Sequence, residues 1–297
     1  MKYAIVRSNR LNSFKDKLNT DSTCVMNMFD FSNVFYRIIV ELCLKLHIPI
    51  STKLFNQELT NVDADTIIVF DGHARKEFLE WLKNSNPTKR LIYWCWNTVK
   101  EISENFDINT IPDGYEIWSY SKYDCDKYGL KYNTTFFWNS YFELSSKESK
   151  YDVFFVGKDK GRLGKIKAVA DILDKENLKY RFNIVKTHFW NRNKDYSRKM
   201  SYDQVIEMIT LTKAILDIKV DANAGPSLRA LEAAFFRKKL ITDDPYVKDF
   251  DFYCKNNVYI LGEDNIPIQE FLSVPLKLVS DKEINKYSFL SWIERFV

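Results

Sequence analysis

Residues 214–242 read AILDIKVDANAGPSLRALEAAFFRKKLIT. The apolar run Ala214–Ile218 predicts a buried strand, Gly225-Pro226-Ser227 closes a loop, Leu228–Phe236 carries helical spacing, and Leu240–Thr242 predicts a second strand. Ser227 is placed to cap the helix, and Leu228, Leu231 and Phe235 share an apolar face. A helix start reached through a Gly-Pro turn offers backbone N–H groups and the positive end of the helix dipole, and a phosphate suits both. Arg229 adds a cation on the first turn. Glu232, one turn on, adds an acceptor for a sugar hydroxyl, drawn on the polar side of the helix. A plain strand–turn–helix crossover with solvated Arg and Glu fits the same pattern, and both readings stand at this point.

Upstream lies a second loop of related chemistry. In VFFVGKDKGRLGKIKAV (153–169), Gly157, Gly161 and Gly164 separate an apolar strand from an amphipathic helix, with Lys158, Lys160 and Arg162 beside the helix start. No GKS or GKT follows, so this is no P-loop, and the glycine spacing is not that of a dinucleotide fingerprint. Two phosphate-friendly loops on one sheet are a stronger sign than either alone.

The rest of the chain alternates in the same way. A helix is expected over Phe31–Leu46, capped by Asp30 or Ser32, and strands over Thr66–Phe70, Leu91–Trp96, Glu116–Tyr120 and Thr134–Trp138. Short helices are expected around Phe78–Leu82 and Tyr123–Tyr128. After a polar stretch at 144–150, read as a linker, come strands Val153–Val156, Tyr180–Val185 and Val258–Leu261 and helices Leu163–Leu173 and Tyr202–Met208. A last helix, 281–297, presents Tyr287, Leu290 and Ile293 on one face. Strand–helix alternation of this kind means βαβ units and mostly parallel sheets. The expected class is therefore α/β, with an N-terminal domain over 1–145 and a second over 150–280. Two such domains imply a cleft, towards which the strand ends Asp71-Gly72-His73, Asn97 and Gly157 would point.

Composition sets the outer bounds. The 297 residues are 45% hydrophobic and 28% charged, which is the balance of a folded chain and not of a disordered one. Eight glycines and seven prolines are too few for a turn-rich β-sandwich. Five scattered cysteines without a CxxC predict a reduced, cytoplasmic protein with no zinc knuckle. No apolar run approaches the length of a membrane span; the longest, at 34–50, is broken by Arg37, Glu41 and Lys45 and reads as an amphipathic core helix. The net charge of +4 is mild, but cations crowd 158–199, and HFWNRNKDYSRKM (188–200) interleaves them with aromatics. That mixture suits an anionic membrane or a polyanion.

The order of an apolar strand, a basic VG loop, a helix, a strand, the SYDQVIEMI helix and AILDI…GPSLRALEAAFFRKKLIT resembles the nucleotide-sugar half of small bacterial GT-B glycosyltransferases of capsule, O-antigen or lipooligosaccharide synthesis. The likeness covers roughly 150–280 and extends to the N-terminal half only through its strand ends. It implies two Rossmann-like domains facing across a cleft, with 281–297 returning to the N-terminal domain. It further implies a donor, UDP-linked by preference, and a glycan or lipid-linked acceptor, with no cofactor and no nucleic acid. The expected place of work is the cytoplasm, with peripheral contact at the inner face of an anionic membrane left open by the basic segment. Position by position, it puts Gly225, Pro226, Ser227, Leu228 and Arg229 at the donor diphosphate and Glu232 on the ribose. Gly157, Lys158 and Arg162 join them on the donor side, and Asn97 falls on the acceptor side. Many retaining members carry a second glutamate eight positions earlier, where this chain has Ala224, so the stereochemical course stays open.

Three D-x-D triplets occur, at Asp63/Asp65, Asp124/Asp126 and Asp249/Asp251. None follows a strand end as a metal-dependent transferase requires, so no metal is expected. Inversion needs a base for the acceptor hydroxyl, and Asp71 and His73 are its candidates, unless Asp71-Gly72 is only a turn. The competing reading is a non-catalytic nucleotide- or polyanion-binding α/β protein that uses the basic 158–199 surface.

Overall fold

The structure, a computed structural model, describes residues 2–8, 18–30, 32–138, 148–188, 190–221, 225 and 227–296. It divides into two compact units, Met1–Thr134 and Thr135–Val297. Pro226, Ala224 and most of the expected 144–150 linker lie outside the described residues.

The first unit is a parallel sheet of β1 (Tyr3–Arg7), β2 (Thr23–Asn27), β3 (Thr66–Phe70), β4 (Arg90–Cys95), β5 (Tyr115–Ser119) and β6 (Lys131–Tyr132), in the order β2-β1-β3-β4-β5-β6. Continuous apolar strands such as TIIVF are what a sheet covered on both faces requires, and every residue of β1 and β3 is buried. Ala4, Val6, Ile67 and Val69 form one core with Phe78, Leu79 and Leu82 of the helix Lys76–Ser85.

Two expectations here are corrected. The first helix runs Val34–Leu46 and is capped by Asn33, whose side chain accepts from the Phe35 amide at 2.8 Å, not by Asp30 or Ser32. Only Val40 of this helix is buried; Val34 and Leu46 are 74% and 61% exposed. The side bearing Ile39, Val40, Cys43 and Leu44 meets the core, while the apolar residues Val34, Phe35, Ile38, Leu42 and Leu46 stay exposed. No described helix is long and apolar enough to cross a membrane.

The second unit is a parallel sheet of β7 (Tyr151–Lys158), β8 (Tyr180–Val185), β9 (Thr212–Asp217), β10 (Lys239–Thr242) and β11 (Val258–Ile260), ordered β11-β10-β9-β7-β8. The helix Leu163–Lys175 lays Ile166, Val169 and Leu173 on Val153, Phe155 and Ala214 of the sheet. The SYDQ sequence starts the helix Tyr202–Thr210 with both bonds of a capping box between Ser201 and Gln204.

Residues 134–138 are not a strand. Phe137 makes an isolated parallel bridge to Ser288, and its N–H and C=O bond the backbone of Tyr287 and Phe289, each at 2.8 Å. The Phe136 ring packs against Trp292 with centroids 4.4 Å apart, and Phe137 against Phe235 at 4.9 Å, both pairs tilted. These contacts place the division of the chain at Thr134/Thr135, ahead of the polar stretch. The C-terminal segment is two short helices, Asp281–Asn285 and Phe289–Glu294, because Ser288 caps a fresh start at the Ser291 amide.

Candidate functional site

Both sheets share one winding. Each begins with a strand, adds the next on one side, then crosses to the other side for the third and continues outward. In open parallel sheets the loops diverge at that reversal, and the carboxyl ends of the flanking strands frame a ligand crevice. In the second unit the reversal lies between β7 and β9. The two loops singled out by sequence leave the sheet there: 158–162 after β7 and 218–227 after β9.

Arg162 joins the two loops. Its guanidinium donates to the carbonyls of Lys158 and Asp159 on its own loop and to Ile218 at the start of the other. Burial lowers its pKa, against which the Asp217 carboxylate raises it. A Cβ on Gly157 would stand 3.0 Å from Arg162 Nη2 and 3.3 Å from the Phe155 ring, so glycine is what leaves room for this strut. Lys160, at φ 45°, and Gly161, at φ 82°, turn the chain into the helix. Asp159 accepts from the Leu163 amide at 2.8 Å and from the Tyr196 hydroxyl at 2.7 Å. Lys158 is exposed.

The β9 loop ends on Ser227, which caps the helix Leu228–Phe235 by accepting from the Arg229 amide at 3.0 Å. The same hydroxyl donates to Asp217 Oδ1 at 2.9 Å. Asp217, missed by sequence, closes β9 and is 3% exposed. Burial raises its carboxyl to about 6 against the help of Ser227. Its one sequence sign is an acid ending an apolar strand.

Glu232 does not lie on a polar face. It is fully buried, with Arg229 ion-paired to Oε2 and the Tyr202 hydroxyl donating to Oε1 at 2.8 Å. Burial raises its pKa, and Arg229 and Tyr202 restrain the rise. Helical spacing puts Glu232 one turn after Leu228, at the edge of the apolar face, but its hydroxyl partner Tyr202 lies thirty residues earlier in the chain and no local pattern shows it. Arg229 keeps 21% of its side chain exposed. The helix therefore presents capped N–H groups and one oriented guanidinium, backed by a buried carboxylate.

A third group flanks these loops at β10. Lys219 donates its backbone N–H to Asp243 Oδ1 at 2.7 Å and its ammonium to the buried Asp244 at 2.9 Å. These bonds tie the start of the β9 loop to the end of β10, and the sequence reading missed all three residues.

In the first unit the reversal lies between β1 and β3. Asp71 sits there, buried, with Oδ1 accepting from the Gly72 amide at 2.6 Å. Its Oδ2 accepts from the Asn97 amide at 2.9 Å and the Asn97 side chain at 3.1 Å. Two strand ends chosen separately thus meet. Burial raises Asp71 to about 6, against the Asn97 and Gly72 N–H groups. Asp71 does not cap the next helix, whose N-cap is Arg75. Gly72 lies beside Ser8, another residue the sequence reading missed. His73 follows in the same turn, half-buried.

Two of the acidic triplets contribute a structural carboxylate. Asp124 accepts from the Val99 amide at 2.9 Å, and Asp251 pairs with Lys286 at 2.9 Å. Among the described residues no group of three or more His, Cys, Asp or Glu is placed to hold a metal ion.

The Asp217 carboxyl yields a pH prediction. Its folded pKa lies above the ordinary 3.8, so the folded state holds the proton more tightly than the unfolded chain between about pH 4 and 6. Its contribution to stability therefore falls as pH rises through that window and stays low above it. Asp217→Asn keeps an acceptor for Ser227 and removes the ionisation. The variant is expected to exceed wild type in stability at pH 7.5 by on the order of 2–3 kcal/mol, with the gap narrowing to about 1 kcal/mol by pH 4.5. Melting curves at both pH values decide it, and a gap of the same size at both sinks the argument.

The sequence matches no protein-family model and no curated protein. Among solved structures, the chain resembles Anabaena Alr3699/HepE, crystallised in complex with UDP, at a TM-score of 0.54 and 9% identity over 99% of this chain and 98% of that one. A putative UDP-N-acetylglucosamine 2-epimerase from Listeria monocytogenes stands lower, at a TM-score of 0.45 and 10% identity over 97% and 91%, and carries no argument. At such identity the likeness to HepE is one of fold. That fold is α/β, with two Rossmann-like domains of the GT-B-like kind.

Proposed function

We propose that the protein is a glycosyltransferase that takes a sugar from a nucleotide donor, UDP-linked by preference, and passes it to a glycan or lipid-linked glycan in surface polysaccharide synthesis. The observation that carries this reading is the pair of loops at the β7/β9 reversal, joined by Arg162, beside a capped helix start with a partly exposed Arg229. The fold shared with HepE, whose structure holds UDP, supports the nucleotide class.

In this reading Gly157 and Lys158 on one loop, and Gly225, Pro226, Ser227 and Leu228 on the other, hold the diphosphate. Arg162 sets the distance between the loops. Arg229 turns from Glu232 to the diphosphate when the donor binds, and a ribose hydroxyl takes its place at Glu232 Oε2. A buried carboxylate that loses its cation needs another donor, and the hydroxyl supplies one. The bond from the sugar C1 to the diphosphate oxygen breaks, and the leaving diphosphate gains charge facing Arg229 and the helix amides. C1 joins the acceptor oxygen. The acceptor's proton passes to a base in an inverting course, and Asp71 and His73 of the first unit, with Asn97 beside Asp71, are assigned to that task.

Melting shifts across a panel of nucleotides and nucleotide sugars test the donor assignment, since a ligand of the folded state alone raises apparent stability. UDP or a UDP-sugar is expected to give the largest shift, and a flat panel rejects the reading. Transfer is expected to persist in excess chelator, because helix amides and Arg229 neutralise the diphosphate. Complete loss, restored by manganese or magnesium, would reverse that expectation.

A further inference from the structure

Beyond β8 the chain forms a wide groove of about 750 Å³ whose lining includes Lys186, Arg192, Lys194, Arg198 and Lys199 and no accessible carboxylate. The nearby acids are already taken. Asp195 turns to Lys167 at 2.5 Å, and Asp159 is bound by the Leu163 amide and Tyr196. Among the described residues Arg192, Lys194, Arg198 and Lys199 are exposed and none is ion-paired. Four like charges held on one short segment repel one another and are relieved by an anion.

The groove is built into the sheet edge. Tyr196 forms a bridge to Ile184 of β8, the Ser197 amide donates to the Ile184 carbonyl at 2.7 Å, and Asn183 donates to the Arg198 carbonyl at 3.1 Å. It also continues the β7 loop, because the Lys160 amide donates to Thr187 at 2.7 Å and Tyr196 to Asp159. Asn191, Asn193 and Ser197 add neutral hydrogen-bonding groups to the lining. Beside them His188 and Trp190 stack in parallel at 4.5 Å, with Trp190 61% exposed.

We infer that this groove is a second anion-binding subsite, taking a saccharide chain that carries phosphate, sulfate or carboxylate groups. Amides and hydroxyls match sugar hydroxyls, an exposed indole matches a sugar face, and the cations match the chain's charges. A surface for single-stranded nucleic acid stacks successive bases on successive rings. Here His188 and Trp190 form one stacked pair, next in the chain to the lining residue Asn191, and no such series of rings lines the groove among the described residues. The choice of a saccharide rests on the sugar-transfer reading, and the continuity with the β7 loop sets the groove beside the proposed donor site.

The test is binding of a sulfated heparin oligosaccharide, with a neutral dextran oligosaccharide of equal length and a single-stranded oligonucleotide of equal charge as comparisons. Wild type is expected to bind heparin at least about tenfold more tightly than dextran and more tightly than the oligonucleotide, with affinity falling as salt rises. The combined Arg192→Ala, Lys194→Ala and Arg198→Ala variant is expected to lose about tenfold or more while keeping its melting temperature and its UDP shift. Lys199→Glu alone, at an exposed position, is expected to weaken heparin in the same direction. Failure of wild type to bind heparin, dextran binding of equal strength, tighter oligonucleotide binding, or unchanged affinity in both variants overturns the subsite. Loss of the UDP shift from wild type with heparin binding intact would instead remove the donor reading and leave a polyanion site.

Discussion

Glu232→Ala is expected to melt well below wild type, on the order of 10 °C, and to bind the donor nucleotide roughly ten- to a hundredfold more weakly. The two effects have separate causes. Removing one partner of a buried ion pair strands the other and costs about 3 kcal/mol, and Glu232 is fully buried against Arg229 and Tyr202. The vacated volume adds a cavity cost. The loss of affinity comes from the ribose hydroxyl, which no longer finds a carboxylate. Glu232→Gln separates them, because it keeps the volume and an acceptor for Tyr202 while discarding the charge. It is expected to recover part of the stability and little of the affinity. Melting curves and nucleotide titrations on both variants give the answer. A melting temperature equal to wild type in Glu232→Ala contradicts the buried pair, and full affinity in Glu232→Gln contradicts the ribose contact.

Arg229→Ala is expected to lower turnover by about a hundredfold while weakening donor binding by about tenfold or less. Charge on the diphosphate grows as the glycosidic bond breaks, so a cation facing it stabilises the transition state more than the bound donor. The variant leaves Glu232 without its cation, which raises a carboxyl already pushed up by burial. A proton then neutralises it, so the loss of stability is smaller than in Glu232→Ala. That loss grows as pH rises through the new pKa, since the folded state is the one that retains the proton. Turnover and donor dissociation constant measured on one preparation settle the split. If donor binding weakens while turnover stays at the wild-type value, Arg229 serves binding alone.

Much of the chain's organisation is legible in its sequence. The strand Thr66–Phe70 coincides with its apolar run, because a strand covered on both faces must be apolar throughout. Ser227 was legible as a cap because its chemistry is local. The first strand, Tyr3–Arg7, is as short as Thr66–Phe70 and equally buried, but its place between β2 and β3 is fixed by pairings that nothing local to it shows. Residues 134–138 carry a strand's composition, but their partner is Tyr287–Phe289, which no neighbouring sequence reveals.

The site divides along the same line. Alternating apolar and polar runs, glycine at tight loops and a hydroxyl before a helix are imposed within a few residues, so the sequence by itself determined the α/β class, the two loops and the helix start. Which carboxylates are buried depends on groups brought in from tens of residues away. Tertiary structure alone turned Glu232 from a surface acceptor into the partner of Tyr202, set Asp217 beneath Ser227 and joined Asp71 to Asn97. It also made Arg162 a strut between two loops instead of a loose cation, because its three carbonyl partners converge only when β7 and β9 lie side by side.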